Sequence, residues 1–283
     1  MQNLLFTKMN GAGNDFIILD EISNGIIPVP SSLISKMCDR RFGIGADGLM
    51  IISESADSDF ELRYFNSDGS TGSLCGNGSR CALMYFHKIH KSGNKELCFT
   101  SLLKKYHGEI INDTTVKFML LPPFGLNCGI NVTLENYDIK LNFIDTGSPH
   151  VVIEVSNILK KGTGTPLYNS IEEVPVSVLG KKLRWLDEFQ PDGANINFYE
   201  IKSGNAAIRT YERGVEEETY ACGTGATAAA IIANIINNLP SPVSLVTKSG
   251  RVLIVDFNGS GESAANLSLT GPAEFNFNGS ISI

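Results

Sequence analysis

The chain has 283 residues, a formal net charge of −7 and a hydrophobic content of 42 %. At roughly 100–200 residues per domain this length accommodates two domains with cores of their own, and the composition is neither disordered nor collagen-like. The acidic balance excludes a protein whose main task is to grip nucleic acid or an anionic membrane, since both need a basic face. No apolar run reaches the ~18 residues of a membrane span. Met1 to Phe6 lacks the basic start and long apolar stretch of a secretory signal, so a cytoplasmic protein is expected.

In chain order, Leu4 to Lys8 and Phe16 to Asp20 read as strands. Pro30-Ser31-Ser32 opens a helix expected to run toward Arg41, with serine available as its cap. Phe60 to Tyr64 alternates apolar and polar, the pattern of a half-buried strand, and Asn66-Ser67-Asp68-Gly69 reads as a turn. Further strands are expected over 94–100, 115–120, 137–144, 150–155, 195–201, 206–212, 243–247, 251–257 and 266–270. Pro122-Pro123 follows a strand it cannot continue and reads as a linker. The polar segment from Gly271 to Ile283 reads as a closing strand and tail.

Two segments break the strand rhythm alike: Cys75-Gly76-Asn77-Gly78 and Cys222-Gly223-Thr224-Gly225, each followed by a helical run. They lie 222 − 75 = 147 residues apart, near half the chain, which predicts two halves of similar build. The second run, Ala228 to Ile236, is apolar nearly all round, so it predicts a buried helix with a curved sheet wrapped about it.

Six cysteines are present: Cys38, Cys75, Cys81, Cys98, Cys128 and Cys222. An even count suggests disulfides only in short secreted chains. No two lie at the close spacing of a zinc site, and His87, His90, His107 and His150 make no metal motif, so no metal is expected. Buried small hydrophobes are the default for Cys38, Cys98 and Cys128.

Cys75 and Cys222 stand where a helix begins. Helix N-termini leave backbone N–H groups unpaired and carry partial positive charge, so they attract carboxylates and favour a thiolate. One such cysteine suggests a nucleophile, with His150 as a candidate base. Two, one in each half, suggest a thiolate that removes a proton and a thiol that returns one, as inversion of a stereocentre requires. Simple packing or ligand binding is the third reading. Gly43-Ile44-Gly45-Ala46-Asp47-Gly48 fits a dinucleotide-binding pattern, but no strand is expected before it and no helix after it.

Met9 to Phe16, Arg40 to Gly48, Phe65 to Ser70 leading to Cys75–Cys81, and Tyr211-Glu212-Arg213-Gly214 leading to Ala221–Gly225 resemble, in order and spacing, the motifs of the diaminopimelate epimerase family. The resemblance covers nearly the whole chain. It implies an α/β (α+β) fold of two similar domains, each a curved, barrel-like, mostly antiparallel sheet around a central helix, with the active site in the interdomain cleft. The halves expected are 1–121 plus 271–283, carrying Cys75, and 122–270, carrying Cys222. The implied activity is pyridoxal-independent interconversion of LL- and meso-diaminopimelate, with no cofactor, a small diamino-dicarboxylate substrate, no nucleic-acid or membrane partner, and a homodimer as one assembly open to it.

The resemblance further implies Cys75 and Cys222 as the acid/base pair, with His150 and Glu212 as their polar partners. Gly76-Asn77 and Gly223-Thr224 would hold the reacting carboxylate, and Asn14, Asn66, Asn195, Glu212 and Arg213 the remaining substrate groups. Proline and hydroxyproline racemases, phenazine-biosynthesis isomerases and a non-catalytic amino-acid binding protein are the alternatives. Three departures stand out: Ser148 where the family usually has asparagine, Asn10 in place of histidine, and a longer link over Val215–Thr219 without a second glycine. They predict retained inversion chemistry with relaxed selectivity at the substrate's distal end.

Overall fold

The structure is a computed structural model that describes residues 3–72, 74–202 and 204–282. The chain folds into two compact units, Met1–Met119 with Thr270–Ile283, and Leu120–Leu269.

The first unit contains β1 (Asn3–Gly11), β2 (Asn14–Asp20), α1 (Glu21–Asn24), α2 (Ser31–Cys38), β3 (Gly48–Ser53), β4 (Phe60–Asn66), α3 (Gly76–Ile89), β5 (Glu96–Ser101), β6 (Lys104–Asn112) and β7 (Thr115–Met119). The second contains β8 (Phe124–Thr133), β9 (Tyr137–Asp145), β10 (Pro149–Glu154), β11 (Ile158–Lys160), β12 (Thr165–Pro166), α4 (Val176–Leu183), β13 (Asn195–Lys202), β14 (Asn205–Glu212), β15 (Glu217–Thr219), α5 (Gly223–Asn237), β16 (Val243–Val246) and β17 (Val252–Asn258). Then β18 (Ala265–Pro272) leads out of it, and β19 (Glu274–Ser282) returns the chain to the first unit.

The two units repeat one plan. In the first, the order β19-β1-β2-β3-β4-β5-β6 pairs antiparallel, antiparallel, parallel, antiparallel, parallel, antiparallel. In the second, β8-β9-β10-β13-β14-β16-β17 gives the same succession. The main helix enters at the same point of each, between β4 and β5 and between β14 and β16. Each sheet curves around its helix. The first unit's α3 touches β1, β2, β3, β6 and β7, and the second unit's α5 touches β9, β10, β13, β14, β16 and β17. Both helices are buried on nearly every side through their first ten or so residues, which is why the second reads apolar all round.

The sheets are mixed, and the parallel pairs explain a missed strand. Gly48–Ser53 is an unbroken apolar run, paired parallel to β2 and buried along nearly its whole length. The expected helix toward Arg41 stops at Cys38 instead. Asp39 accepts the backbone N–H groups of Arg41 and Phe42, both at 2.7 Å, and turns the chain away. The residue capping that helix is Pro30, with no side-chain hydrogen bond, so the expected serine cap is not formed. The glycine-rich stretch 43–48 follows that helix and leads into β3, without the strand-loop-helix context of a dinucleotide site. Among the described residues no helix is long and apolar enough to cross a membrane.

Candidate active site

Each unit offers a cysteine at the start of its central helix. Cys75 caps α3 with φ −105° and ψ 116°, and Cys222 caps α5 with φ −114° and ψ 114°. At a cap of this kind the backbone N–H groups of the first turn have no partner within the helix and are open to a ligand. Third after each cysteine stands a glycine, where the backbone runs close to its neighbours. A Cβ on Gly225 would lie 2.2 Å from Asn197 Oδ1, and one on Gly78 would lie 3.1 Å from Met50 Sδ.

Around Cys75, Asn14 at the start of β2 holds the thiol. Asn14 Nδ2 donates to Asp47 Oδ2 at 2.6 Å, which points Oδ1 toward Cys75 Sγ at 3.6 Å and Asn77 Nδ2 at 3.3 Å. The N–H of Gly78 reaches the sulfur at 3.5 Å. Asp47 belongs to an ion network with Asp15, Lys8 and Arg40. Burial works against the charge on Asp15, but its bonds to Arg40 and Lys8 prevail and hold it at about 2. Burial and the Asp15 charge raise the neighbouring Asp47.

Arg80, one turn into α3, is fully buried. It donates to Asn77 Oδ1 at 2.7 Å, Gly76 O at 3.3 Å and Pro272 O at 3.4 Å, and among the described residues no carboxylate pairs with it. Burial lowers its pKa to about 10, against the pull of Cys81 and Cys75, the groups that favour its charge. Burial also keeps Cys81 a thiol and pushes Cys38 to about 12. Asn66, expected at the site, sits at the end of β4 with its amide donating to Ser70 Oγ at 3.0 Å, within its own turn.

Around Cys222 the second unit assembles a longer polar network. His150 on β10 lies opposite Asn195 on β13 in parallel register. It is fully buried, and burial followed by the Arg213 charge lowers its pKa to about 3, so the imidazole is neutral. Asn197 Nδ2 donates to Val151 O at 2.9 Å and faces His150 Nδ1 at 3.0 Å, while Asn197 Oδ1 accepts from Thr210 Oγ1 at 3.0 Å. A donor facing Nδ1 places the imidazole proton on Nε2, which is 3.0 Å from Ser148 Oγ. Ser148 Oγ lies 3.3 Å from Thr224 Oγ1, and Thr224 Oγ1 lies 3.6 Å from Cys222 Sγ. Asn195 accepts the Arg213 N–H at 2.8 Å and donates to Pro149 O at 3.0 Å and Ser148 Oγ at 3.4 Å. Thr146 Oγ1 ties the first turn of α5 down through Thr224 O at 2.9 Å.

The structure thus gathers His150, Asn195, Thr224 and Cys222, with the Arg213 backbone, in one network, and Asn14, Asn77 and Cys75 in another. Glu212 precedes Arg213 at the end of β14. The link over Val215–Thr219 contains Glu216 at φ 60°, where glycine would be unstrained; the Arg184 guanidinium grips its carboxylate at 2.7 and 2.9 Å. Sequence reasoning missed Asn197, Thr210, Thr146 and Arg80. Two asparagines at i and i+2 in the apolar strand Asn195-Ile196-Asn197 were the available signal, because they share a strand face. His150 is unsuited to the role of base for a cysteine nucleophile, since both nitrogens are engaged and hydroxyls separate it from Cys222. Among the described residues no cluster of His, Cys, Asp or Glu is arranged to hold a metal.

Two sheet-wrapped helices, each entered through Cys-Gly-polar-Gly, define a two-unit α/β fold. Similar solved structures include a phenazine biosynthesis protein of the PhzF family from Bacillus anthracis, with TM-score 0.73 and 12 % identity over 100 % of both chains. A probable proline racemase from Agrobacterium radiobacter has TM-score 0.72 and 13 % identity, covering 99 % of this chain and 93 % of the other. At such identities the likeness is one of fold.

The diaminopimelate epimerase profile matches residues 6–119 and 142–275. Diaminopimelate epimerase of Chlorobaculum tepidum is 37 % identical over 97 % of this chain and 100 % of that protein. The enzyme of Flavobacterium psychrophilum is 36 % identical over 97 % of this chain and 98 % of its own length. The chain belongs to the diaminopimelate epimerase family. It is an isomerase that interconverts LL- and meso-diaminopimelate, a small diamino-dicarboxylate, in the supply of lysine and peptidoglycan precursors.

Proposed function

We propose that Cys75 and Cys222 carry out this epimerisation as a thiolate/thiol pair. The matched capping geometry of the two cysteines, each at a helix start with a following glycine, is the observation that carries the reading. A thiolate takes the α-proton and becomes a thiol. The carbanion left behind spreads its charge into the α-carboxylate. The other thiol then returns a proton to the opposite face and becomes the thiolate, so the pair ends with its roles exchanged.

In this reading the backbone N–H groups at Gly76-Asn77 and Gly223-Thr224 bind the α-carboxylate. Their dipoles are fixed before charge develops, so they lower the barrier to carbanion formation. His150 and Glu212 orient the reacting groups. Asn14, Asn66, Asn195 and Arg213 bind the substrate's remaining ammonium and distal carboxylate, with selectivity at the distal end relaxed by Ser148. Thiols that must stay reduced suit a cytoplasmic enzyme.

The test is incubation with LL-diaminopimelate in deuterated water, read by chiral chromatography and mass spectrometry. The wild type forms meso product carrying α-deuterium, and Cys75→Ala and Cys222→Ala each abolish epimerisation. Full turnover by either variant refutes the pair. Truncated amino acids lacking the distal carboxylate are turned over slowly; complete inactivity on them removes the relaxed-selectivity part alone.

A further inference from the structure

The Ser148 hydroxyl lies in the middle of the network joining His150 to Cys222. The hydrogen bonds from His150 to Thr224 take their directions from the carbonyls and N–H groups that anchor the network. Val151 O requires a donor, so the Asn197 amide presents Nδ2 to it and also to His150 Nδ1. The imidazole proton is then on Nε2 and points at Ser148 Oγ. The Arg213 N–H requires an acceptor and Pro149 O a donor, so Asn195 presents its own Nδ2 to Ser148 Oγ.

Ser148 Oγ therefore receives two hydrogens, and a hydroxyl has only two lone pairs to receive them. Its single hydrogen goes to Thr224 Oγ1, the remaining neighbour of that oxygen. With Ser148 donating to it, Thr224 Oγ1 has its own hydrogen available for Cys222 Sγ, its other neighbour at 3.6 Å. The reverse polarity, from thiol toward imidazole, would set the Asn197 N–H against an N–H on Nδ1. It is excluded by the same carbonyls.

We propose that Ser148 is a positioning residue which, through Thr224, directs a hydroxyl hydrogen at Cys222 Sγ and so favours its thiolate over its thiol. The inference rests on the assignment of Cys222 as an acid/base residue. No proton leaves the relay during turnover: the two hydroxyls and the imidazole keep theirs and only orient them. The thiolate is stabilised because each donor is already aimed, with no reorganisation when charge appears on sulfur. Among the described residues, the other charged groups beside this network are Asp145 at the end of β9, raised by burial, Glu212 at the end of β14 and Arg213 just after it; the first turn of α5 carries no charged side chain.

The experiment measures iodoacetamide alkylation of Cys222 against pH, read on its own peptide by mass spectrometry, in full-length protein carrying Cys75→Ala. Ser148→Ala and Thr224→Val each raise the apparent pKa of Cys222 by about one unit, so alkylation near neutral pH slows by about tenfold. Ser148→Thr and Thr224→Ser, which keep the hydroxyls, titrate as the parent does. Unchanged titration in both Ser148→Ala and Thr224→Val, with circular dichroism showing them folded, overturns the relay. The failure of the underlying reading looks different: Cys222→Ala in otherwise wild-type enzyme would then retain turnover, whatever the titration of Cys222 shows.

Discussion

Gly78 and Gly225 are equivalent positions, third after the cysteine in each unit, and the same substitution should affect them very differently. A Cβ at Gly225 would meet Asn197 Oδ1 at 2.2 Å and Asn197 Cγ at 3.3 Å. The oxygen must retreat by about 1 Å to reach ordinary contact, yet Asn197 is fully buried and bonded to Val151, His150 and Thr210. Alanine there must break part of that set or displace the first turn of α5. With each neutral buried hydrogen bond worth about 1 kcal/mol, and overpacking costing about 1–3 kcal/mol, a loss of roughly 2–4 kcal/mol follows. At Gly78 the first obstacle is Met50 Sδ at 3.1 Å, with the next atoms at 3.6 Å. A flexible thioether yields readily, and the reduced freedom of the unfolded chain returns about 0.4–1 kcal/mol. Gly78→Ala should therefore stay within about 1 kcal/mol of wild type. Urea unfolding of both variants, monitored by circular dichroism, measures the difference. Gly225→Ala should also lose most activity, because Asn197 no longer fixes the imidazole that orients Ser148. Equal midpoints for the two variants would refute the claim that close backbone approach is what demands glycine at 225.

Two further outcomes follow from buried charge. His150 has a folded pKa of about 3 against 6.5 in the unfolded chain, so its contribution to stability is fully present above about pH 6.5 and is lost as pH falls toward 3. The urea midpoint of wild type should decline between pH 6.5 and 4 more steeply than that of His150→Gln, and parallel slopes would contradict the buried neutral imidazole. Arg80 meets three acceptors with one planar fork, which an ammonium cannot reproduce. Arg80→Lys should cost about 2–3 kcal/mol, and an unchanged unfolding midpoint would show that the fork is dispensable.

Much of this was legible in the sequence, and the limits have physical causes. The two helix starts were visible because Cys-Gly-polar-Gly followed by a long apolar run is a local signal. Half-buried strands such as Phe60–Asn66 alternate and could be read. The strand Gly48–Ser53 could not, because a run buried on both faces has no period. Helix α4, eight residues long, is too short for its periodicity to stand out. At the site, the cysteines and His150 were found from motif and resemblance, whereas the link from Ser148 to Thr224 spans 76 positions and exists only once β9, β10 and α5 are packed. Asn66 shows the converse. Its hydrogen bond to Ser70 is one that turn chemistry supplies by itself, so its proposed substrate contact rests on the resemblance and not on this bond.

The repeated plan of the two units has a consequence for the direction of the reaction. A short polypeptide that pairs with its own copy must present the same residue twice, so any group placed beside one sulfur also stands beside the other. A duplication held within one chain is released from that constraint. At equivalent positions one helix carries Arg80 and the other Thr227, both bonding back to the carbonyl of the glycine that follows the cysteine. One half carries a buried guanidinium and the other a neutral alcohol. In the proposed pair, forward and reverse turnover would thus be run by two different acids, each open to adjustment by mutation without disturbing its counterpart.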